Sequence, residues 1–273
     1  MDASDFGSEE GKIDGRGRSR RNNREMLVMN ETAYPFRMLS YFEAIFRGKA
    51  YRHRSSNLGD QLSVQLYEDL YDLGRSAKFV LHIDTHRRGI NIKNLRIGIG
   101  ARRGDGTLGE FVPGAATLSV DGFKARRGPV ATLDIGVEVK ILNKAMIKQI
   151  NDRIAGLQKQ AEYFERGRDG RRRGNPISIA VVAVNHAPYA IGYEGERRYR
   201  TDGKKHAHPA GEAAEVERRI RGEVAPHFDE TIILRYRATN DAPFPFEWVD
   251  EGLTRHEYGA SLVRISAEFE SRF

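Results

Sequence analysis

The sequence predicts an α/β fold, a central mixed β-sheet flanked by helices, and two stretches with their connection carry that expectation. Residues 131–142, ATLDIGVEVKIL, are rich in β-branched and apolar residues of the kind a pleated, half-buried surface favours. Residues 177–185, ISIAVVAVN, are an almost unbroken apolar run, the mark of a strand buried on both faces. Between them Met146, Ile150, Ile154, Leu157, Ala161 and Phe164 recur at steps of four, four, three, four and three. That period predicts a helix over 144–166, capped by Asn143, long enough to cross over and leave its two flanking strands parallel.

The other elements follow in chain order. Residues 1–24 hold almost no apolar side chains and read as a disordered arm whose arginines suit phosphate contact, with residues 25–273 as a single domain. Residues 31–48 predict a helix entered at Pro35 and stopped at Gly48. Residues 60–74 predict a second, capped by Asp60, apolar along Leu62, Leu66, Leu70 and Leu73 and ended by Gly74. Residues 78–84 and 92–99 read as strands, and GIGARRGDG over 98–106 reads as a hairpin loop with Arg102 and Arg103 at its tip. Its glycine pattern is one residue off the dinucleotide fingerprint, and no crossover helix follows it. Residues 111–125 and 129–142 are expected to pair as a hairpin. After 185 come a polar, aromatic-bearing stretch over 192–211, a short charged helix over 211–222, a strand over 230–239 and a final helix over 255–270, all elaborating one core.

The strand at 131–142 carries the chemistry. Alternation puts Ile135, Val137, Val139 and Ile141 on one face and Asp134, Glu138 and Lys140 on the other. Acids and lysines are rarely buried unless paired or metal-bound. Carboxylate oxygens suit a hard cation such as Mg2+, which polarises a phosphoryl oxygen and lowers the pKa of bound water. A nearby lysine can hold that water or offset phosphate charge. Glu138-Val139-Lys140 is therefore half of a site for phosphodiester hydrolysis, and the missing half is a second carboxylate on a neighbouring strand. Asp121 is the first candidate, Asp134 the substitute and Glu110 a weaker one. A solvated face of cross-strand ion pairs is the competing account.

A helix, a hairpin carrying D…E-x-K, then a helix and another strand resembles the PD-(D/E)xK nuclease superfamily, which includes many restriction endonucleases. The resemblance covers about residues 58–185. The family's Pro-Asp pair is missing, since Asp121 follows Val120. The resemblance implies a restriction-endonuclease-like core with Asp121, Glu138 and Lys140 as catalytic residues. It implies a metal held by Asp121, Glu138 and Asp134, and Mg2+ as cofactor with Mn2+ as substitute. It further implies double-stranded DNA as substrate, a homodimer, and a role in restriction or phage defence. A helix acid can join the metal in such nucleases, and Glu68 is the candidate. Polar residues of the helix after E-x-K can reach DNA, which singles out Lys144 and Lys148.

Composition is consistent with that partner. The net charge is +7, with 45 Lys and Arg against 38 Asp and Glu, and a basic balance suggests nucleic acid. The loop at 166–176 holds five arginines, among them Arg171, Arg172 and Arg173, placed to clamp a phosphate backbone. Absence of cysteine excludes disulfides and thiolate zinc sites and fits a cytoplasmic protein. No apolar run is long enough to span a membrane, so no membrane partner is expected. His82 and His86, with Asp84 between, raise a metal or general-base alternative that no third ligand supports. A repair or recombination nuclease, and a module that binds nucleic acid without cutting it, are the rival functions.

Overall fold

A mixed sheet of seven strands, in the order β3-β1-β2-β4-β5-β6-β7, organises the computed structural model, which describes residues 36–52, 57–91, 104–165, 175–192 and 199–273. Its strands are β1 (Arg88–Asn91), β2 (Gly106–Glu110), β3 (Arg127–Gly128), β4 (Ile135–Leu142), β5 (Ile177–Asn185), β6 (Glu230–Ala238) and β7 (Phe246–Trp248). β1, β2 and β4 run as an antiparallel set; β4, β5 and β6 are parallel; β7 returns antiparallel at the edge. The α/β class and the mixed, helix-flanked sheet expected from the sequence are therefore present. The basic arm at 1–24, the strand at 92–99, Arg102, Arg103, Arg171, Arg172 and Arg173 lie outside the described residues.

Helices cover both faces. α1 (Arg37–Phe46), α2 (Leu58–Leu73), α3 (Ala77–Asp84) and α6 (Glu251–Arg272) bury their apolar stripes with Ile135, Val137, Val139, Ile179, Val181 and Leu234 on one side. α4 (Met146–Glu165) and α5 (Pro209–Arg219) pack with Ala180, Val182, Val184 and Ile233 on the other. α5 runs on into a π-turn at Ile220–Val224 and a 3-10 turn at Ala225–His227. Every residue of β5 is buried, as a doubly covered parallel strand requires. All six apolar positions that define the α4 period are buried, so this helix forms because one stripe of it closes the sheet. Gly74 ends α2 in the left-handed conformation, φ 62°, where a side chain would be strained.

Three local expectations are corrected. Residues 78–84 form α3 rather than a strand. Ser76 Oγ accepts the Phe79 N–H at 3.1 Å and caps the helix, while Phe79, His82 and Ile83 turn inward at three- and four-residue spacing. Seven residues with so much apolar content fit either period, and the cap decides. The antiparallel partner of β4 is β2, not residues 111–125, which contribute only the bridges Phe111↔Val130 and Leu118↔Arg127. Neither Asn143 nor Asp60 caps a helix. Asn143 instead receives Asn185 Nδ2 at 2.5 Å and the Tyr236 hydroxyl at 3.3 Å, a buried polar knot at the carboxyl ends of β4, β5 and β6. Asp60 sits within the first turn of α2, which starts after Asn57.

Candidate active site

Glu138 and Lys140 stand two residues apart on β4 and so share one face, toward α4. Directly beside them on β5 are Ala180 and Val182, short side chains that make an apolar floor. The Lys140 ammonium bonds to Glu138 Oε1, and the pair is half-buried, with side chains 22% and 14% exposed. Gly136, the preceding residue on this face, lies under the Phe164 ring, and a Cβ there would stand 2.6 Å from it.

The second acid is Asp105, the residue immediately before β2. β2 and β4 pair through Gly106↔Val137, and Asp105 precedes that pair, beside the middle of β4. Asp105 Oδ2 accepts the backbone N–H of Val139, the middle residue of E-x-K, at 2.8 Å. The carboxylate takes the place of a ladder carbonyl where β2 has not yet begun, which fixes it against the strand. Three glycines give it room. A Cβ on Gly59, in the first turn of α2, would meet Asp105 Cγ at 2.4 Å. A Cβ on Gly104 would meet the Val137 carbonyl at 2.5 Å, and one on Gly106 would meet Ser63 Cβ at 2.3 Å. α4 adds Gln160, a buried polar side chain one turn before Phe164 on the helix face that closes over this part of the sheet.

Hard oxygen donors on adjacent strands suit Mg2+, which binds through one or two carboxylates and completes its shell with water and phosphate oxygens. Asp105 beside the middle of β4 and Glu138 on β4 are the carboxylates near this strand, the first lying against Gly59 of α2 and the second facing α4. Among the described residues no group of three or more His, Cys, Asp or Glu side chains is gathered to hold a metal by itself.

The remaining expected site residues lie elsewhere. Asp121 is exposed in a turn after Val120, on the loop that bridges to β3, and β1 and β2 stand between β3 and β4. Asp134 precedes the first residue of β4, so strand alternation does not direct it; its carboxylate takes Arg88 Nε on one oxygen and the Thr132 hydroxyl, at 2.9 Å, on the other. The Arg88 guanidinium also donates to His82 Nδ1 at 2.6 Å and lies over the Phe269 and Phe273 rings. Burial raises the Asp134 carboxyl above its ordinary range against the opposing pull of Arg88 and Thr132. Burial, then the Arg88 charge, lowers the His82 imidazole. His86 turns Nδ1 to the Ile83 carbonyl at 3.2 Å, so the two histidines do not form a ligand pair. Glu110 lies 3.6 Å from Arg88 Nη2. Glu68 is fully buried and accepts the Lys124 and Ala125 N–H groups at 2.8 and 2.9 Å, clasping the loop before β3.

Lys144 is buried beyond the end of β4, its amine 4.5 Å from the Tyr199 ring centroid, and Tyr199 packs on His206 at 4.2 Å. Lys148 is exposed on α4. Asp105 and Gln160 are the residues that sequence reasoning missed. The signals were a lone acid between two glycines, and a glutamine breaking the apolar stripe of α4. No protein-family model matches the chain, and no curated protein or solved structure matches it. No helix among the described residues is long and apolar enough to cross a membrane.

Proposed function

We propose that the chain is a Mg2+-dependent nuclease that hydrolyses phosphodiester bonds in DNA, built on a restriction-endonuclease-like core. One observation carries this reading: Asp105, the residue before β2, accepts the backbone N–H of Val139 within the Glu138-Val139-Lys140 tripeptide. The order of elements is consistent with it, since a helix, an antiparallel β1-β2-β4 set, the α4 crossover and parallel β5 follow one another. Asp105 and Glu138 would hold the ion, with Mn2+ as a substitute, and Asp105 replaces Asp121 in that role. Bound Mg2+ supplies Lewis acidity at a phosphoryl oxygen and a more acidic water.

The residues of the chain do the rest. Lys140 stands beside the Glu138 carboxylate, where its ammonium offsets charge gathering on the phosphate. The floor of Ala180 and Val182, together with Phe164, limits water around the reacting group. In the displacement a water oxygen bonds to phosphorus, the bond to the 3′ oxygen breaks, and the product keeps a 5′-phosphate. Lys148, exposed on α4, and the arginine loop at 166–176 would meet the backbone of the duplex, consistent with the net charge of +7, whereas Lys144 is buried against Tyr199. A homodimer would cut both strands, and restriction of foreign DNA is the role such an enzyme would serve.

The test is cleavage of plasmid DNA by purified protein with Mg2+ or with EDTA, for wild type, Asp105→Asn, Glu138→Gln and Lys140→Ala. Mg2+-dependent cutting that all three substitutions abolish is the expected result. DNA binding without cutting in any divalent metal would overturn the reading and leave a binding module.

A further inference from the structure

The first turn of α2 has two sides. Gly59 backs onto the Asp105 carboxylate, while its neighbour Leu58 lines a groove of about 390 Å³. The groove has an apolar floor of Ile45 and Leu58, an aromatic wall in Tyr41, an open side at Ala44, and the cations Lys49 and Arg52 at its mouth. Tyr41 is half-buried, and Ala44, Lys49 and Arg52 are exposed. The segment behind the mouth is pinned. Gly48 N–H bonds to the Phe244 carbonyl at 3.0 Å, Tyr51 N–H bonds to Asn240 Oδ1 at 2.7 Å, and the Tyr51 ring stacks on Phe46 at 4.7 Å. These contacts fix the backbone at Gly48 and Tyr51, behind Lys49 and Arg52.

Its size and lining narrow the occupant. It has the volume of a small-molecule site, too small for a packed helix. An aromatic face beside apolar surface suits a planar heterocycle, and two cations at the rim suit a phosphate attached to it. We propose that the groove is a nucleotide subsite of the nuclease: it holds one unpaired base of a DNA strand against Tyr41, with that nucleotide's phosphate on Lys49 and Arg52. The same strand then passes the first turn of α2 toward Asp105. This rests on the nuclease reading of Asp105 and Glu138 and replaces its duplex restriction role with a preference for unpaired strands. Substrates with an unpaired strand beside the scissile bond, such as single strands, overhangs and flaps, are favoured over blunt duplex.

The experiment uses the full chain carrying Glu138→Gln, so that binding is read without cutting. The probes are a short single-stranded oligodeoxynucleotide with one fluorescent adenine analogue and a blunt duplex of the same sequence. Quenching of the analogue and tighter binding of the single strand are expected. Adding Tyr41→Ala should weaken single-strand binding about tenfold or more, and Tyr41→Phe should retain it. Ala44→Glu, at an exposed helix position that leaves the core intact, should weaken single-strand binding by bulk and like charge. Blunt-duplex binding should be unchanged by each. Equal losses for single strand and duplex, or an analogue that stays bright, would overturn the proposal. If the parent protein cuts DNA with Mg2+ while these variants bind as Glu138→Gln does, the groove fails and the nuclease stands. If the single strand is bound and quenched but the parent never cuts, the nuclease reading fails and the groove stands.

Discussion

One acid precedes β4 and another stands within it, and the two are used in opposite ways. At its start Asp134 is nearly inaccessible, and both of its oxygens are taken, one by Arg88 and one by Thr132. Arg88 is itself held by His82 and by the rings of Phe269 and Phe273. Four residues on, Glu138 bonds the flexible Lys140 ammonium two positions along its own strand, and the pair remains part-open. The first cluster is a closed circuit that a ligand would have to break. The second can exchange partners, since a compact ammonium can turn from carboxylate to phosphate without leaving the site. Residue type does not separate them; exposure and the freedom of the cationic partner do.

The largest expected effect breaks the comparison at its open end. Asp105→Asn keeps the hydrogen bond to Val139 through the amide oxygen but removes the charge, and cleavage should fall about a thousandfold. The urea unfolding midpoint should hardly move. Arg88→Ala should do the reverse. It strands a buried carboxylate, and loss of one partner of a buried pair costs about 3 kcal/mol or more. Urea denaturation should report that loss, while the rate per folded molecule stays near wild type. Activity loss without destabilisation in Arg88→Ala would put the closed circuit inside the catalytic machinery.

Gly59→Ala sharpens the open end by geometry alone. The added methyl would stand 2.4 Å from Asp105 Cγ, so the carboxylate must move. Misplacement by about 1 Å can cost about a hundredfold in rate, whereas alanine in a helix is at least as stable as glycine. A slowed enzyme with an unchanged unfolding midpoint is the expected pair of results.

Asp69 extends the contrast to a carboxylate that titrates. It receives the Arg37 and Met38 N–H groups at 2.7 and 3.0 Å and the Tyr258 hydroxyl at 2.7 Å, joining α1, α2 and α6. Burial nevertheless lifts its pKa to about 6. The folded protein therefore binds a proton that the unfolded chain has released between pH of about 4 and about 6. Stability from this group is greatest below that window and falls as pH rises through it, by on the order of 2 kcal/mol. Urea titrations across the window should show that fall, and Asp69→Asn should flatten it.

How far such features are legible in sequence depends on what forms them. α4 and β5 are readable because their periods are long and their apolar positions all reach the core. β2 is unreadable for a physical reason. Gly106 and Gly109 let it lie against Ser63 and Thr132, with virtual Cβ contacts of 2.3 and 2.1 Å, and those same glycines erase the strand signal. Asp105, between Gly104 and Gly106, therefore looks like a turn. Half of the candidate site, Glu138 and Lys140, stands on a strand that announces itself; the other half stands just before one whose close packing hides it.

The smallest effect is the most discriminating. Asp121 and Asp105 are both acids followed by Gly on a loop before a strand, and the sequence singles out Asp121 because it lies in the stretch expected to pair with residues 129–142. Asp121 is exposed, and its loop is tied down by Arg37 Nη1 donating to the Gly122 carbonyl at 2.9 Å and by Glu68 on the backbone of Lys124 and Ala125. None of those contacts uses the Asp121 carboxylate. Asp121→Asn should leave both the cleavage rate and the unfolding midpoint at wild-type values, assayed beside Asp105→Asn under the same Mg2+ conditions. A loss in Asp121→Asn equal to that in Asp105→Asn would mean that the loop before β3 reaches the reacting phosphate, and the Asp105 contact with β4 would no longer account for the site.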